Sequence, residues 1–371
     1  MQHLIGMVSW MMAACVAASA QSWSATTVQA VPGASPFYAM TSVDTPTARL
    51  TVWAEHYGVP WAAFAASSHP PPSWPWTHTM RALAEAARAT GKPIDLQMVL
   101  TRDVPAPHAT ETGLVPMPPC LDLAGYRTAY ARYVAWMVRQ FAPATVNVGA
   151  EISRFPVVCG TSSSWMSVIT AANAGYRAAK RVRPDALVYV SAQLEDMYDH
   201  TLGGWNDAVY AALSGLQRDR FGLSTYPQAL AGDRVERLPL DYLTRVRARH
   251  PAERPLVIAE TGWLAMPLVL GTPEACWTAL TGSPETQAAY RAWLTTHAAI
   301  DGLEWVTWWS AQDLLPADVM TTCYPRDCPP DDPWCAALQA FRAAFGAPLG
   351  DLVFKAFGTM GLATYTGGGR E

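Results

Sequence analysis

Short β-rich runs recur along this chain, and Ala-rich stretches with helical spacing separate most of them. The clearest runs are 94–100 (IDLQMVL), 145–151 (TVNVGAE), 186–193 (ALVYVSAQ), 221–227 (FGLSTYP), 255–260 (PLVIAE) and 303–309 (LEWVTWW), with earlier ones at 37–43 and 50–56. The helical stretches are 79–90, 126–141, 165–182, 240–250 and 284–299. Strands that read as near-continuous apolar runs are buried on both faces, and strand–helix alternation implies a parallel sheet. Eight such units over residues 37–371 fit a single-domain (β/α)8 TIM barrel with long loops. A doubly wound open sheet is the alternative, but the chain has no GxGxxG turn to announce one.

Two places fit that architecture poorly. Only 44–49 separates the first two strands, too few residues for a helix, so the first unit is irregular or one strand is misplaced. At the other end, 358–371 (GTMGLATYTGGGRE) stops in a Gly-rich run without a closing helix. The final helix is then 333–345, or the chain is truncated.

The first 20 residues read as a secretory signal, with an apolar stretch from Leu4 to Ala18 and the small-x-small pattern Ala18-Ser19-Ala20. The n-region has no Lys or Arg. A rival cut before Cys15 gives a lipid-anchored form, and a retained anchor is the third option. Secreted or periplasmic location follows from the first two. Residues 21–36, rich in Ser, Thr, Ala and Pro, form a linker. No later segment looks transmembrane, so no stable membrane insertion is expected once the signal is removed.

A net charge of −4 without a basic run argues against a nucleic-acid partner. Six cysteines follow the signal: Cys120, Cys159, Cys276, Cys323, Cys328 and Cys335. In a secreted chain they suggest disulfides, and six allow 15 connectivities. On the barrel reading Cys120 with Cys159 is one plausible pair, and the other four could staple the last two active-face loops. No CxxC occurs and no His stands at ligand spacing, so no metal or other cofactor is expected. The acidic stretch 327–332 reads as a solvated loop rather than a calcium site. A monomer is expected.

The chemistry sits at two strand ends. PLVIAETGW ends a buried run in Glu260, and TVNVGAEISRF ends another in Glu151. Counted along the chain these are the fourth and seventh strands, whose C-terminal ends share one rim in a barrel. Two carboxylates across a half-buried cleft suit glycosidic bond cleavage, one protonated as acid and one ionised as nucleophile. The competing reading makes each Glu a member of a structural ion pair.

VNVGAEIS, FGLSTYP, PLVIAETGW and EWVTWW, in that order, resemble the (β/α)8 glycoside hydrolases with catalytic acids on strands four and seven. Within that clan the chain is most similar to the arabinogalactan endo-β-1,4-galactanase-like group, over the second half of the barrel. The resemblance implies a retaining β-glycosidase with Glu151 as acid/base and Glu260 as nucleophile. It implies that Tyr226 hydrogen-bonds Glu260, and that Trp308 or Trp309 lies under the sugar. The clan usually has Asn before the acid/base to hold the sugar 2-hydroxyl; here that position is Ala150, with Asn147 and Ser153 as candidate substitutes.

Other aromatic and polar positions fill the cleft. Gln193, at the end of the fifth strand, either binds sugar or anchors a loop. His56, at the end of the second, either holds a hydroxyl or sits in the core. Trp263 could stack on a neighbouring sugar. Trp61, Trp74 and Trp76 suit packing, and Asp313 suits bracing a loop. The expected partner is a carbohydrate substrate, which the resemblance implies is β-1,4-galactan-like. The alternative function is a non-catalytic carbohydrate-binding barrel on the cell surface, and a more distant one is a structural or adhesive surface protein.

Overall fold

The computed structural model describes residues 39–41, 49–53, 61–98, 100, 126–153, 163–199, 204–205, 207–239, 241–249, 256–272 and 275–309. The expected signal and linker, the helix expected at 333–345, the acidic stretch and Asp313 lie outside them, as do all the cysteines except Cys276. Cys276 is disulfide-bonded. Among the described residues no helix is long and apolar enough to cross a membrane, and no group of three or more His, Cys, Asp or Glu is placed to hold a metal ion.

Eight strands form one sheet in sequence order: β1 (Ala39–Thr41), β2 (Leu50–Trp53), β3 (Ile94–Gln97), β4 (Thr145–Asn147), β5 (Leu187–Gln193), β6 (Arg220–Thr225), β7 (Leu256–Thr261) and β8 (Leu303–Trp308). From β2 to β8 every neighbouring pair is parallel. Helices connect them, chiefly α1 (Trp61–Ala66), α2 (Pro75–Ala89), α3 (Tyr126–Phe141), α4 (Ser163–Val182), α5 (Asp207–Ala212), α6 (Thr244–Arg249) and α7 (Pro284–Asp301). Sequential parallel strands with helical crossovers make this an α/β barrel. Residues of β1 and β8 approach within 8 Å between Cα atoms, so the ring is nearly closed.

The first unit departs from eight parallel strands. β1 pairs with β2 antiparallel, with Ala39 opposite Val52 and Thr41 opposite Leu50. The reason is length: a parallel crossover needs a dozen or more residues, and the few residues between these strands permit only a reversal.

Side chains alternate along each strand between the helix layer and the barrel interior. Leu96, Val146, Val188, Val190, Phe221, Leu223, Leu256 and Ile258 all belong to the large apolar cluster shared with the helices. Within it Tyr130 of α3 donates its hydroxyl to Val148 O at 2.8 Å, and Gly175 of α4 passes so close to Tyr130 that a Cβ there would stand 2.7 Å from its ring. The rings of Trp76 and Trp136 lie 5.2 Å apart in the same layer, so Trp76 is a packing residue.

Much of the interior face is polar. Asp95, Gln97, Thr145, Asn147 and Ser191 are buried there. The Gln97 amide nitrogen donates to Asp95 Oδ2 at 2.8 Å, to the Tyr189 hydroxyl at 2.7 Å and to Ala259 O at 3.1 Å. Those last two contacts join β3 to β5 and β7, strands that are not neighbours, so they cross the interior. Tyr189 donates to both Asp95 oxygens, and Thr145 Oγ1 donates to Asp95 Oδ1 at 2.5 Å. Asn147 donates to Gln97 Oε1 at 2.7 Å. Beneath them the Arg49 guanidinium lies 4.0 Å above the Trp305 ring.

A buried polar group left unpaired costs about 1–3 kcal/mol, so such a network is stable only when its members satisfy one another. Gln97→Leu keeps the volume but removes the bonds to Asn147, Tyr189, Asp95 and Ala259 O at once. It should lower the unfolding free energy by about 2–4 kcal/mol in urea titration; a loss under about 0.5 kcal/mol would contradict the importance given to this network.

Candidate active site

Glu260 owes its direction to a bulge. On β7, Val257 and Ala259 pack with Tyr189 and Trp305 in the barrel interior, while Leu256 and Ile258 face the helices. Strict alternation would send Glu260 outward. Instead Leu223 pairs with Ile258 and Ser224 with Glu260, so β7 carries one extra residue against β6. The same surplus appears against β8, where Val306 pairs with Ile258 and Trp308 with Thr261. An extra residue in one strand reverses the phase of everything after it. Thr261 then faces the helices, 2.8 Å from the Tyr290 hydroxyl of α7. Glu260 turns to the interior rim with 6% of its surface exposed, and Tyr226 donates its hydroxyl to Glu260 Oε1.

Glu151 is held by a different device. The ladder bonds of β4 proper end at Asn147, but Val148 N still donates to Tyr189 O at 2.9 Å and Ala150 N to Met98 O at 3.1 Å. Glu151 then adopts φ 50, in the left-handed region. Among the described residues the other non-Gly residue found there is Ala142, with φ 47, which terminates α3. Glu151 follows no helix. Its conformation is held by Ser191, whose Oγ accepts from Glu151 N at 3.1 Å and from Asn147 Nδ2 at 2.9 Å, and whose carbonyl accepts from Ile152 N at 2.8 Å. Strained backbone that its surroundings over-determine is typical of functional positions.

Ser224 joins the two acids. Its Oγ donates to Glu151 Oε1 at 2.7 Å, and its backbone is the register partner of Glu260. Both carboxylates therefore lie on the C-terminal rim of the barrel, beside the same residue of β6.

The remaining candidates divide. Trp308 is fully buried and packs on Tyr290 of α7, with ring centroids 5.8 Å apart. It faces the helices and cannot lie under a sugar. Trp309 is next in the alternation, on the opposite parity to Trp308; it is 2% exposed and its backbone N is bonded to Thr261 O at 2.6 Å. Trp263 is also fully buried, its ring 4.9 Å from Tyr290. It is core, because its loop folds back onto α7, where Gln287 donates to Trp263 O. Gln193 gives its amide nitrogen to Glu195 Oε2, the anchoring use rather than the sugar-binding one. Asn147 and Ser153 are fully buried, Asn147 in the interior network and Ser153 as acceptor for Gln193 N at 2.8 Å, so neither replaces the missing amide at Ala150. His56 lies outside the described residues.

Sequence reading missed Ser191, Ser224 and Glu195. The first two were visible as polar residues at interior positions of otherwise apolar strands. Glu195 lies on a single helical turn, Leu194–Met197, directly after β5. Its Oε1 accepts from Thr225 Oγ1 at 2.8 Å and from Tyr226 N and the Tyr242 hydroxyl, each at 2.9 Å. Part of the side chain reaches the surface, but the carboxyl is deep enough that desolvation raises its pKa. Desolvation likewise raises Asp95, against the opposing pull of Thr145, Tyr189, Arg49 and Gln97.

No protein-family model matches the chain, and no curated protein sequence does. Solved structures similar to it include an exo-β-1,4-mannosidase from an Opitutaceae bacterium, with 16% identity and a TM-score of 0.49 over 86% of this chain and 50% of that one. The catalytic domain of an Ignisphaera aggregans GH53 protein is similar at 16% identity and a TM-score of 0.45, over 70% and 72%. A Bacteroides uniformis β-glucuronidase is similar at 15% identity and a TM-score of 0.45, over 78% of this chain and 27% of that one. The chain thus spans about a quarter of the β-glucuronidase's length. At these identities and scores neither substrate nor chemistry transfers, and both have to be read from the side chains.

Two expectations follow from this geometry. Glu151→Gly and Glu151→Ala both lose the Ser224 contact, but only Ala keeps a Cβ in the left-handed region. The Gly variant should be the more stable by about 1 kcal/mol in denaturant titration, the reverse of the usual order. The raised Asp95 carboxyl binds its proton more tightly in the folded chain than in the unfolded one. Its contribution to stability is therefore full below its ordinary value of 3.8 and is lost as pH rises through the folded value. Asp95→Asn should flatten the fall of unfolding free energy with rising pH above that value; an unchanged slope would contradict the burial argument.

Proposed function

We propose that this protein is a retaining β-glycosidase that hydrolyses an oligosaccharide or polysaccharide by double displacement. Glu260 is the nucleophile and Glu151 the acid/base. The observation that carries the reading is Ser224, which bonds Glu151 Oε1 at 2.7 Å while pairing in register with Glu260. Strands lie about 5 Å apart in the hydrogen-bonding direction. A link through one neighbouring residue supports a carboxyl separation of that order, the spacing of retaining enzymes rather than inverting ones.

In the first step Glu260 attacks the anomeric carbon as Glu151 protonates the departing glycosidic oxygen. A glycosyl ester of Glu260 results, and the aglycone leaves as an alcohol. In the second step Glu151 takes a proton from water, and the resulting oxygen displaces Glu260 from the anomeric carbon. The Tyr226 hydroxyl supports this division of roles, because its bond aims Glu260 and stabilises the ionised form. Glu151 has the Ser224 hydroxyl, a weaker partner that also accepts, which suits a group that must gain and lose a proton each turnover. Trp309 is the platform residue of this reading. The resemblance of VNVGAEIS, FGLSTYP, PLVIAETGW and EWVTWW to galactanase-like enzymes makes β-1,4-galactan the first substrate to try. The N-terminal pattern supports a secreted or lipid-anchored enzyme.

Ala150 favours a second reading, a barrel that binds carbohydrate without cleaving it. The position has no amide for the sugar 2-hydroxyl, a contact that strengthens in the transition state.

Glu260→Gln should lower kcat at least about 10⁴-fold with the fold intact by circular dichroism. Glu151→Ala should be partly rescued by azide on an aryl glycoside with an activated leaving group, with formation of the glycosyl azide. Wild-type-like turnover in Glu260→Gln would remove the assignment. Saccharide binding without released reducing ends in the wild type would establish the second reading.

A further inference from the structure

We infer that Glu195 is a positioning residue for the nucleophile, acting through Tyr226. This rests on the double-displacement reading above and adds a residue that touches neither substrate nor reacting atoms. Gln193, the last residue of β5, pairs with Ser224 on β6. Two residues on, Glu195 reaches the point where the chain leaves β6. There its Oε1 gathers three donors: Thr225 Oγ1, the backbone N–H of Tyr226 and the Tyr242 hydroxyl. The Thr225 and Tyr242 oxygens are themselves 3.0 Å apart, so the donors form one compact knot. The second oxygen, Oε2, accepts from Gln193.

The knot fixes the backbone of the residue whose hydroxyl meets Glu260. β6 ends at Thr225, and Tyr226 is the first residue beyond it. Its amide is tied to a carboxylate that is anchored on both sides, to β5 through Gln193 and to the helix layer through Tyr242. Tyr242 is itself buried against Trp293 of α7, with ring centroids 6.3 Å apart. A displacement of the phenol by about 1 Å would break its bond to Glu260, and misplacement on that scale costs rates on the order of 100-fold. An oxygen taking three donors at once holds a strand exit to a tolerance that a single bond does not.

The geometry also supplies a conservative substitution. In Glu195→Gln the carbonyl oxygen keeps the three donors, and the new amide nitrogen meets Gln193. The Gln193 Oε1 atom is buried without a hydrogen-bond partner, so rotation of the Gln193 amide presents that oxygen to the new donor. Glu195→Gln should therefore retain the anchor, whereas Glu195→Ala removes it.

The test is a double-mutant cycle on an aryl glycoside, with crystal structures of the variants. Glu195→Ala should lower kcat about 10–100-fold and change KM less than about 3-fold, while Glu195→Gln stays within about 3-fold of wild type. In a Tyr226→Phe background the loss from Glu195→Ala should shrink below about 3-fold, because both changes remove one interaction. A loss of the same size in both backgrounds, or wild-type kcat in Glu195→Ala, overturns the inference. If Glu195→Ala does not fold, Tyr242→Phe, which removes one of the three donors, should give a smaller kcat loss with the same non-additivity; full additivity overturns it. In the Glu195→Ala crystal structure the Tyr226 hydroxyl should have left Glu260. A hydroxyl still in place overturns the inference even if the wild type cleaves no sugar, an outcome that would separately sink the functional reading.

Discussion

The extra residue in β7 is the constraint on which the site depends. Without it, the alternation that packs Leu256 and Ile258 under the helices would bury Glu260 among apolar side chains, where a carboxylate has no partner. With it, the phase reverses between Ala259 and Glu260, and the acid arrives beside Ser224. The bulge is held from within: Gln97 of β3 donates to Ala259 O, the carbonyl of the unmatched residue. The polar interior and the direction of Glu260 are thus one structure, joined at a single carbonyl.

From that point the site is built outward through serines. Ser191 ties the left-handed turn of Glu151 to the same interior network through Asn147, and Ser224 ties its carboxyl to the strand next to Glu260. Both residues occupy interior positions where a larger side chain would push the acids apart. Gly222 of β6, the register partner of Ser191, leaves room for the Tyr189 ring, whose atoms would stand 3.1 Å from a Cβ there. Interior volume and acid placement are set by the same few positions.

Much of the architecture was legible in the sequence because it rests on repetition. Each of the eight runs became a strand of the main sheet, and the stretch 126–141 became α3 at those bounds. The antiparallel β1 was foreshadowed by its short connection. The interior was less legible. Runs such as IDLQ and TVN read as apolar strands, yet their alternate residues Asp95, Gln97, Thr145 and Asn147 form the polar core of the barrel. The choice between Trp308 and Trp309 was open for a physical reason: strand parity near the rim depends on the bulge, and a one-residue insertion is invisible in composition. Hydrogen bonds such as those of Glu195 join residues about 30 and 47 positions apart, a pairing that only the closed sheet creates.

The most direct test of the central claim, that two rim carboxylates work by double displacement, is the configuration of the sugar as it is first released. Proton nuclear magnetic resonance of an early reaction mixture, before mutarotation, reads it directly. The expected result is a β-configured product from a β-linked substrate, formed through an ester on Glu260. Initial release of the α-anomer would mean direct attack by water across a wider gap, and would contradict the placement of both acids beside Ser224.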